Sequence, residues 1–261
     1  MMNSVQIVAP MTQYERWALI LSAVAILIPI VQWVWKKWVQ TPILKYYPNG
    51  TIRLFFNQSG SYIRINGVFE SLRKPTSVKK VDAQIKRKRD NKERNLSWSY
   101  FISPFVHVMG PNAVQGNETA HPFRVDADSI VCAFIEFADP FNSFGKAFNV
   151  VTKDLFQSIY DIKGKTDDFQ AALKEYQQRD DYKKAKELLN NEFIWEIGKY
   201  DLVIEASHTI RKETYSFEFT LDEADYSAMH QNIDEALVSP LKDAYGVARY
   251  FQSVDIELKN K

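Results

Sequence analysis

Two groups of residues in this chain have types and spacings that could do chemistry. The first is basic. Lys79, Lys80, Lys86, Arg87, Lys88, Arg89, Lys92 and Arg94 stand within sixteen residues, against three acids. Cations gathered so closely can hold phosphates of a nucleotide, an oligonucleotide or an anionic headgroup. The second is a stripe. Glu15, Ala18, Ser22, Ala25, Pro29, Gln32 and Lys36 follow one another at spacings of 3 and 4 in alternation, which is one face of an α-helix. Ala18, Ser22 and Ala25 on such a face let helix backbones approach closely in lipid. Gln32, and the carbonyl that Pro29 frees, each need a partner or water there. In a symmetric bundle Glu15 would ring one mouth and Lys36 the other, and charged rings are one way that pores select. Two plainer readings stay open. The basic run can be a solvated hairpin tip, and the stripe a simple oligomer contact or a coincidence.

No catalytic or metal chemistry is expected. The chain has no nucleophile elbow, phosphate-binding glycine loop or dinucleotide fingerprint. His107, His121, His208 and His230 are scattered without ligand spacing, so neither metal nor cofactor is expected. The single cysteine, Cys132, lies in the apolar run Ile130-Val-Cys-Ala-Phe-Ile and reads as a buried core residue. One cysteine cannot form an intrachain disulfide, which suits a reducing compartment.

The stripe belongs to a segment, Trp17 to Trp35, that is uncharged and otherwise almost wholly bulky and apolar. It is long enough to cross a hydrocarbon core of roughly 30 Å. Tyr14 and Trp17 at one end, and Trp33, Trp35 and Trp38 at the other, read as interfacial belts. Lys36, Lys37 and Lys45 follow it, so the positive-inside rule places the short amino tail outside and the rest in the cytosol. A cleaved signal peptide is disfavoured by the length of the apolar run and by Trp35-Lys-Lys-Trp38 after it.

The expected architecture follows. Residues 1–16 form an external tail, 17–38 a transmembrane helix and 39–50 a juxtamembrane linker rich in turn chemistry. Residues 51–221 form a mainly β, Ig-like sandwich with a helical insertion at about 143–192. Residues 222–261 form C-terminal helices and a possible last strand. Strands are expected over 51–57 and 61–70, then over 78–89 and 96–102. A loop of some twenty residues should begin near Pro104, with strands again over 122–125, 129–138 and 199–221. Helices are expected over 143–162 and, unbroken, over 166–190. Thr220-Leu-Asp-Glu223 reads as a capping box, and Ser239-Pro240 as the start of a separate helix. Charge is uneven. Residues 51–100 carry a net +8 and residues 154–261 a net −8, which suggests an anion-attracting surface or two surfaces that meet in an oligomer.

In layout, from Glu15 to Lys36 and through the basic run Lys79 to Arg94, the chain resembles bacterial single-pass effectors of antiphage defence. The resemblance implies an N-terminal helix in the inner membrane and a cytosolic sensing domain. It also implies a homo-oligomer switched by an anionic nucleotide or oligonucleotide, or by a regulatory partner protein. The expectation is a non-enzymatic effector that forms a regulated pore or membrane-perturbing bundle. The alternative is a passive membrane-anchored binding or adaptor module.

Overall fold

A computed structural model describes residues 11–109 and 112–261, with the backbone alone at 39, 104–109 and 112–115. The first helix among the described residues is α1, Gln13–Val34, which runs on into one π-helical stretch, Trp35–Val39. From Gln13 to Trp38 this helix is long and apolar enough to cross a membrane, and none of that span is buried in the protein. Everything after it is an antiparallel β domain with further helices.

The strands are β1 (Ile43–Asn57), β2 (Gly60–Leu72), β3 (Thr76–Arg87), β4 (Glu93–Met109), β5 (Asn112–Thr119), β6 (Phe123–Val125) and β7 (Ser129–Ala138). After the helical segment come β8 (Gly198–His208), β9 (Lys212–Leu221), β10 (Val254–Glu257) and β11 (Lys259–Asn260). They form one nearly closed sheet in the order β10-β1-β2-β7-β4-β3-β8-β9-β11, with β5 on β4 and β6 on β3. Closure is made by a single segment. β10 pairs with β1 and β11 with β9, and between them the Leu258 amide donates to the Gly50 carbonyl at 2.8 Å. Nearer the start of β1 the two edges meet directly, where the Tyr215 hydroxyl donates to the Leu44 carbonyl at 2.8 Å.

Period-2 alternation decides which side chains fill the interior. Ile52, Leu54 and Phe56 point inward from β1, Ile63 and Ile65 from β2, and Val81, Ala83 and Ile85 from β3, all buried. Leu202, Ile204, Phe217 and Phe219 face them from β8 and β9. Gly67 is required by packing. A Cβ there would stand 2.6 Å from the Tyr47 carbonyl oxygen and 2.7 Å from the Tyr46 ring.

The helices are α2 (Ser143–Lys163), α3 (Phe169–Gln178), α4 (Asp180–Glu192) and α5 (Glu223–Ala244). They pack on one another through Phe148, Leu155, Tyr176, Leu189, Ile233 and Leu237. They cover the end of the sheet remote from α1, since Gly60 in the β1–β2 turn faces Phe144 and Glu192. Trp195, fully buried, ties the segment after α4 to the sheet by donating from Nε1 to the Phe55 carbonyl at 3.0 Å.

Several local expectations are corrected. Residues 43–50 are strand, with Pro48 at a bulge and Gly50 at φ +87°. The long loop expected after Pro104 is instead the β4–β5 hairpin. The stretch 166–190 is two helices, broken where Arg179 turns extended at ψ 144°. The cap of α5 is Asp222, whose carboxylate accepts the Asp225 amide. Ser239-Pro240 lies inside α5 and does not start a helix. Proline cannot bond the carbonyl four residues back; that carbonyl, of Ala236, accepts Gln58 Nε2 at 2.8 Å instead. Cys132 is exposed, because Ala133 and Ile135 take the inward positions of β7.

Candidate functional site

Helix α1 is started by Thr12. Its hydroxyl accepts the Glu15 amide at 3.3 Å, and the Glu15 carboxylate accepts the Thr12 amide at 2.8 Å, which is a capping box. Glu15 therefore has a local role that the pattern Thr12-x-x-Glu15 spells out and that the stripe reading overlooked. Ala18, Ser22, Ala25, Pro29, Gln32 and Lys36 are all exposed along the helix. At its end Lys37 Nζ lies 4.6 Å from the Trp33 ring centroid, a cation–π contact at the expected headgroup level. Lys74, in the β2–β3 turn, donates from Nζ to the Lys37 carbonyl at 2.7 Å. That turn and the β8–β9 turn therefore lie at the helix end of the domain.

The basic run is divided and largely neutralised. Lys79 and Lys80 lie towards the helix end of β3, whereas Lys86 to Arg89 lie at the opposite tip, about 20 Å further along the strand. Lys79 is exposed, and Lys80 pairs with Asp82 at 2.7 Å. At the tip Lys86 meets Glu93 at 3.1 Å, Arg89 meets Glu196 at 2.6 Å and Arg94 meets Glu192 at 2.6 Å. Lys88 reaches Glu218 at 2.7 Å and Asp201 at 3.3 Å, and these carboxylates, Glu218 first, raise its pKa. Arg87 continues the inward face of Val81, Ala83 and Ile85 and is 4 % exposed. It is accommodated there by Asp90 at 2.5 Å, Glu196 at 2.7 Å and the Ile194 carbonyl at 3.5 Å. Its hydrogen bonds hold the Asp90 carboxyl well below the usual carboxylate range. Arg87 is thus neither solvated nor open to a ligand. Glu192, Glu196, Asp201 and Glu218 come from the acidic carboxyl half, so the two oppositely charged halves meet within one chain.

A polar groove on the outer face of the sheet escaped the sequence reading. Asp255, Arg53, Arg64 and Glu136 stand side by side across β10, β1, β2 and β7 in one cross-strand rank. Arg53 grips Asp255 with two bonds, Nε to Oδ1 at 2.5 Å and Nη2 to Oδ2 at 2.6 Å. Arg64 donates from Nε alone to Glu136 Oε2 at 2.7 Å, with its guanidinium 4.6 Å above the Phe55 ring. Both arginines line a cavity of about 370 Å³ with Asp255, Asn66, Ser103 and Phe134. Arg64 also lines a neighbouring cavity of about 610 Å³ with Tyr62, Tyr100 and Asn117. Burial pushes the Tyr62 hydroxyl up to about 12, so it stays protonated. The hairpin Asn57 to Gly60 fixes the register that sets Arg53 opposite Arg64, a signal present in the sequence. Their carboxylate partners come from distant segments and carry no local signal.

Among the described residues no group of three or more His, Cys, Asp and Glu could hold a metal ion. His208 is buried, its Nδ1 3.1 Å from the Thr76 hydroxyl. His230 packs on Phe193 and Tyr226, and His121 is exposed. The side chain of His107 lies outside the described residues.

No protein-family profile and no curated protein matches the chain. Among solved structures it is similar to a family 123 glycoside hydrolase from Clostridium perfringens, at 10 % identity and a TM-score of 0.30, over 70 % of this chain and 28 % of that one. It is also similar to Spo0M, a sporulation control protein from Bacillus subtilis, at 7 % identity and a TM-score of 0.28, over 74 % of this chain and 56 % of that one. The chain thus spans about a quarter and about half of those two lengths.

Proposed function

We propose that the protein is a single-pass membrane effector. Helix α1 inserts in a bacterial inner membrane with the amino tail outside and the β domain in the cytosol. The domain binds a ligand or partner and so controls assembly of several α1 helices into a pore or membrane-perturbing bundle, as in antiphage defence. One observation carries this reading: a 26-residue apolar helix has none of its span buried against the domain that follows it. Such a surface in water would be strongly unfavourable, and lipid or further copies of the helix would cover it. Trp33, Trp38 and Lys37 gathered at one end suit a headgroup level on the cytosolic side. The small residues Ala18, Ser22 and Ala25 suit close helix approach. An Ig-like character of the domain is part of this proposal; it draws support from antiparallel strands wrapped around one shared core, here joined in one nearly closed sheet.

A second reading, a passive anchored binding module, is favoured by two observations. Glu15 is engaged in the helix cap, and the basic tip is satisfied by the protein's own carboxylates. Dye release from vesicles reconstituted with the full chain separates the two. Leakage that rises with protein density, and is lost when Ala18, Ser22 and Ala25 are all leucine, is the expected result. Vesicles that stay tight at every density would leave the passive module standing.

A further inference from the structure

We infer that the groove over β1 and β2 is an oxyanion site, with Arg53 and Arg64 as its two jaws and a phosphate or carboxylate group as its occupant. The argument begins with register. Arg53 and Arg64 are direct cross-strand partners on the outer face, where like charges side by side are destabilising. Each is held on its far side by a carboxylate, Asp255 for Arg53 and Glu136 for Arg64. The rank therefore reads negative, positive, positive, negative, with its positive centre between the two guanidinium groups. Both cations line the cavity over the rank; of the two carboxylates Asp255 lines it as well, held in its two bonds to Arg53.

Donor geometry points the same way. Arg64 uses only Nε on Glu136, which leaves both of its Nη groups for another acceptor. Arg53 keeps Nη1 in addition to the two nitrogens on Asp255. Planar guanidinium groups prefer oxyanions that accept two parallel bonds. The Phe55 ring beneath Arg64 and its salt bridge to Glu136 hold the group in place before a ligand arrives. A cavity of about 370 Å³ lies over the pair, ample for a phosphate ester or a small organic acid.

This inference rests on the proposed function only in giving the domain a ligand, and it places that ligand on the sheet and away from the β3–β4 tip. The test is made on the full chain in dodecyl maltoside micelles, which carry no phosphate. The probe is inorganic phosphate, followed by its ³¹P line width. Saturable broadening is expected, weakened about tenfold or more in Arg53→Gln and in Arg64→Gln, and unchanged in the control Arg211→Gln. Arg64→Lys, which keeps the charge and loses the fork, is expected to be folded by circular dichroism and to bind more weakly. Acetate added in competition separates a general oxyanion site, where it displaces phosphate, from a phosphate-selective one, where it does not. Absence of saturation in the unaltered chain would overturn the site. So would broadening that survives unchanged in all three groove variants. Micelles report binding whether or not α1 assembles, so failure here would not touch the helix reading.

Discussion

Arg87 shows how a charge can occupy a core position. Its guanidinium replaces a solvent shell with Asp90, Glu196 and a backbone carbonyl, so the inward face of β3 continues past Ile85 without a break in packing. Arg87→Ala leaves Asp90 without its counter-ion and Glu196 with Arg89 alone, and is expected to cost about 2 kcal/mol, read as a lower midpoint in urea. Acid acts on the same contact. Asp90 titrates below its ordinary 3.8 when folded, so its stabilisation is full at neutral pH and is lost as pH falls through 3.8 towards its depressed value. His208 adds a milder pH dependence. Burial lowers its pKa below 6.5, against the opposing Glu213 carboxylate at 3.7 Å and with a small push from Arg211. The unfolded chain then binds a proton near 6.5 that the folded one resists, so stability is full above that pH and falls below it. Thermal midpoints measured from about pH 7 to about pH 5 should decline in the natural chain, and the decline should flatten in His208→Gln. Much of this scale was legible only in part. A period of two puts Val81, Ala83 and Ile85 on one face with Arg87 after them, but a run of cations reads as a face that has left the core, and Arg87 is buried instead. Nothing local could supply Glu196, which lies more than a hundred residues away in sequence and reaches the tip through the packing of α4 and β8.

At the scale of elements, the decisive piece is the segment Val254–Asn260. It is strand to β1 on one side and to β9 on the other, so one short stretch closes the sheet. The sequence pattern marks it as a strand but says nothing of where it pairs, since pairing is a long-range choice. Amide exchange in β1 and β9 should rise together when Ile256 and Leu258 are replaced by Asp, and exchange in β4 should rise much less. An equal rise in all strands would mean that closure is not local. Gly67→Ala is a second element-scale test. The backbone oxygen of Tyr47 cannot yield as a flexible side chain can, so a loss of about 1–3 kcal/mol is expected in urea denaturation. The elements that sequence misplaced share a cause. Pro48 and Pro240 read as breakers by local chemistry, yet a bulge in β1 absorbs the first. A side chain from another element, Gln58, satisfies the carbonyl that the second leaves free. The stretch 166–190 keeps a helical period across Arg179, so periodicity alone could not reveal the break.

At the scale of the molecule, α1 and the β domain divide the work. The domain buries its own apolar surface and pairs its own opposite charges, so the +8 and −8 halves cancel within one chain. Among the described residues nothing buries the helix, and on the proposed reading lipid or further copies of it supply the cover. A long, unburied apolar helix ahead of a β-rich domain was legible in the sequence, because Trp17 to Trp35 is an uncharged run longer than eighteen residues. What covers the stripe Ala18, Ser22, Ala25, Pro29 and Gln32 was not legible, since lipid and a second helix accept small residues alike. The most direct test of a bundled helix is therefore the mass of the full chain in detergent by light scattering, with and without leucine at Ala18, Ser22 and Ala25. A discrete assembly of three or more chains, reduced to monomer by the three leucines, is the expected result. A monomer in both, or an assembly that the leucines leave intact, would contradict assembly through the α1 stripe.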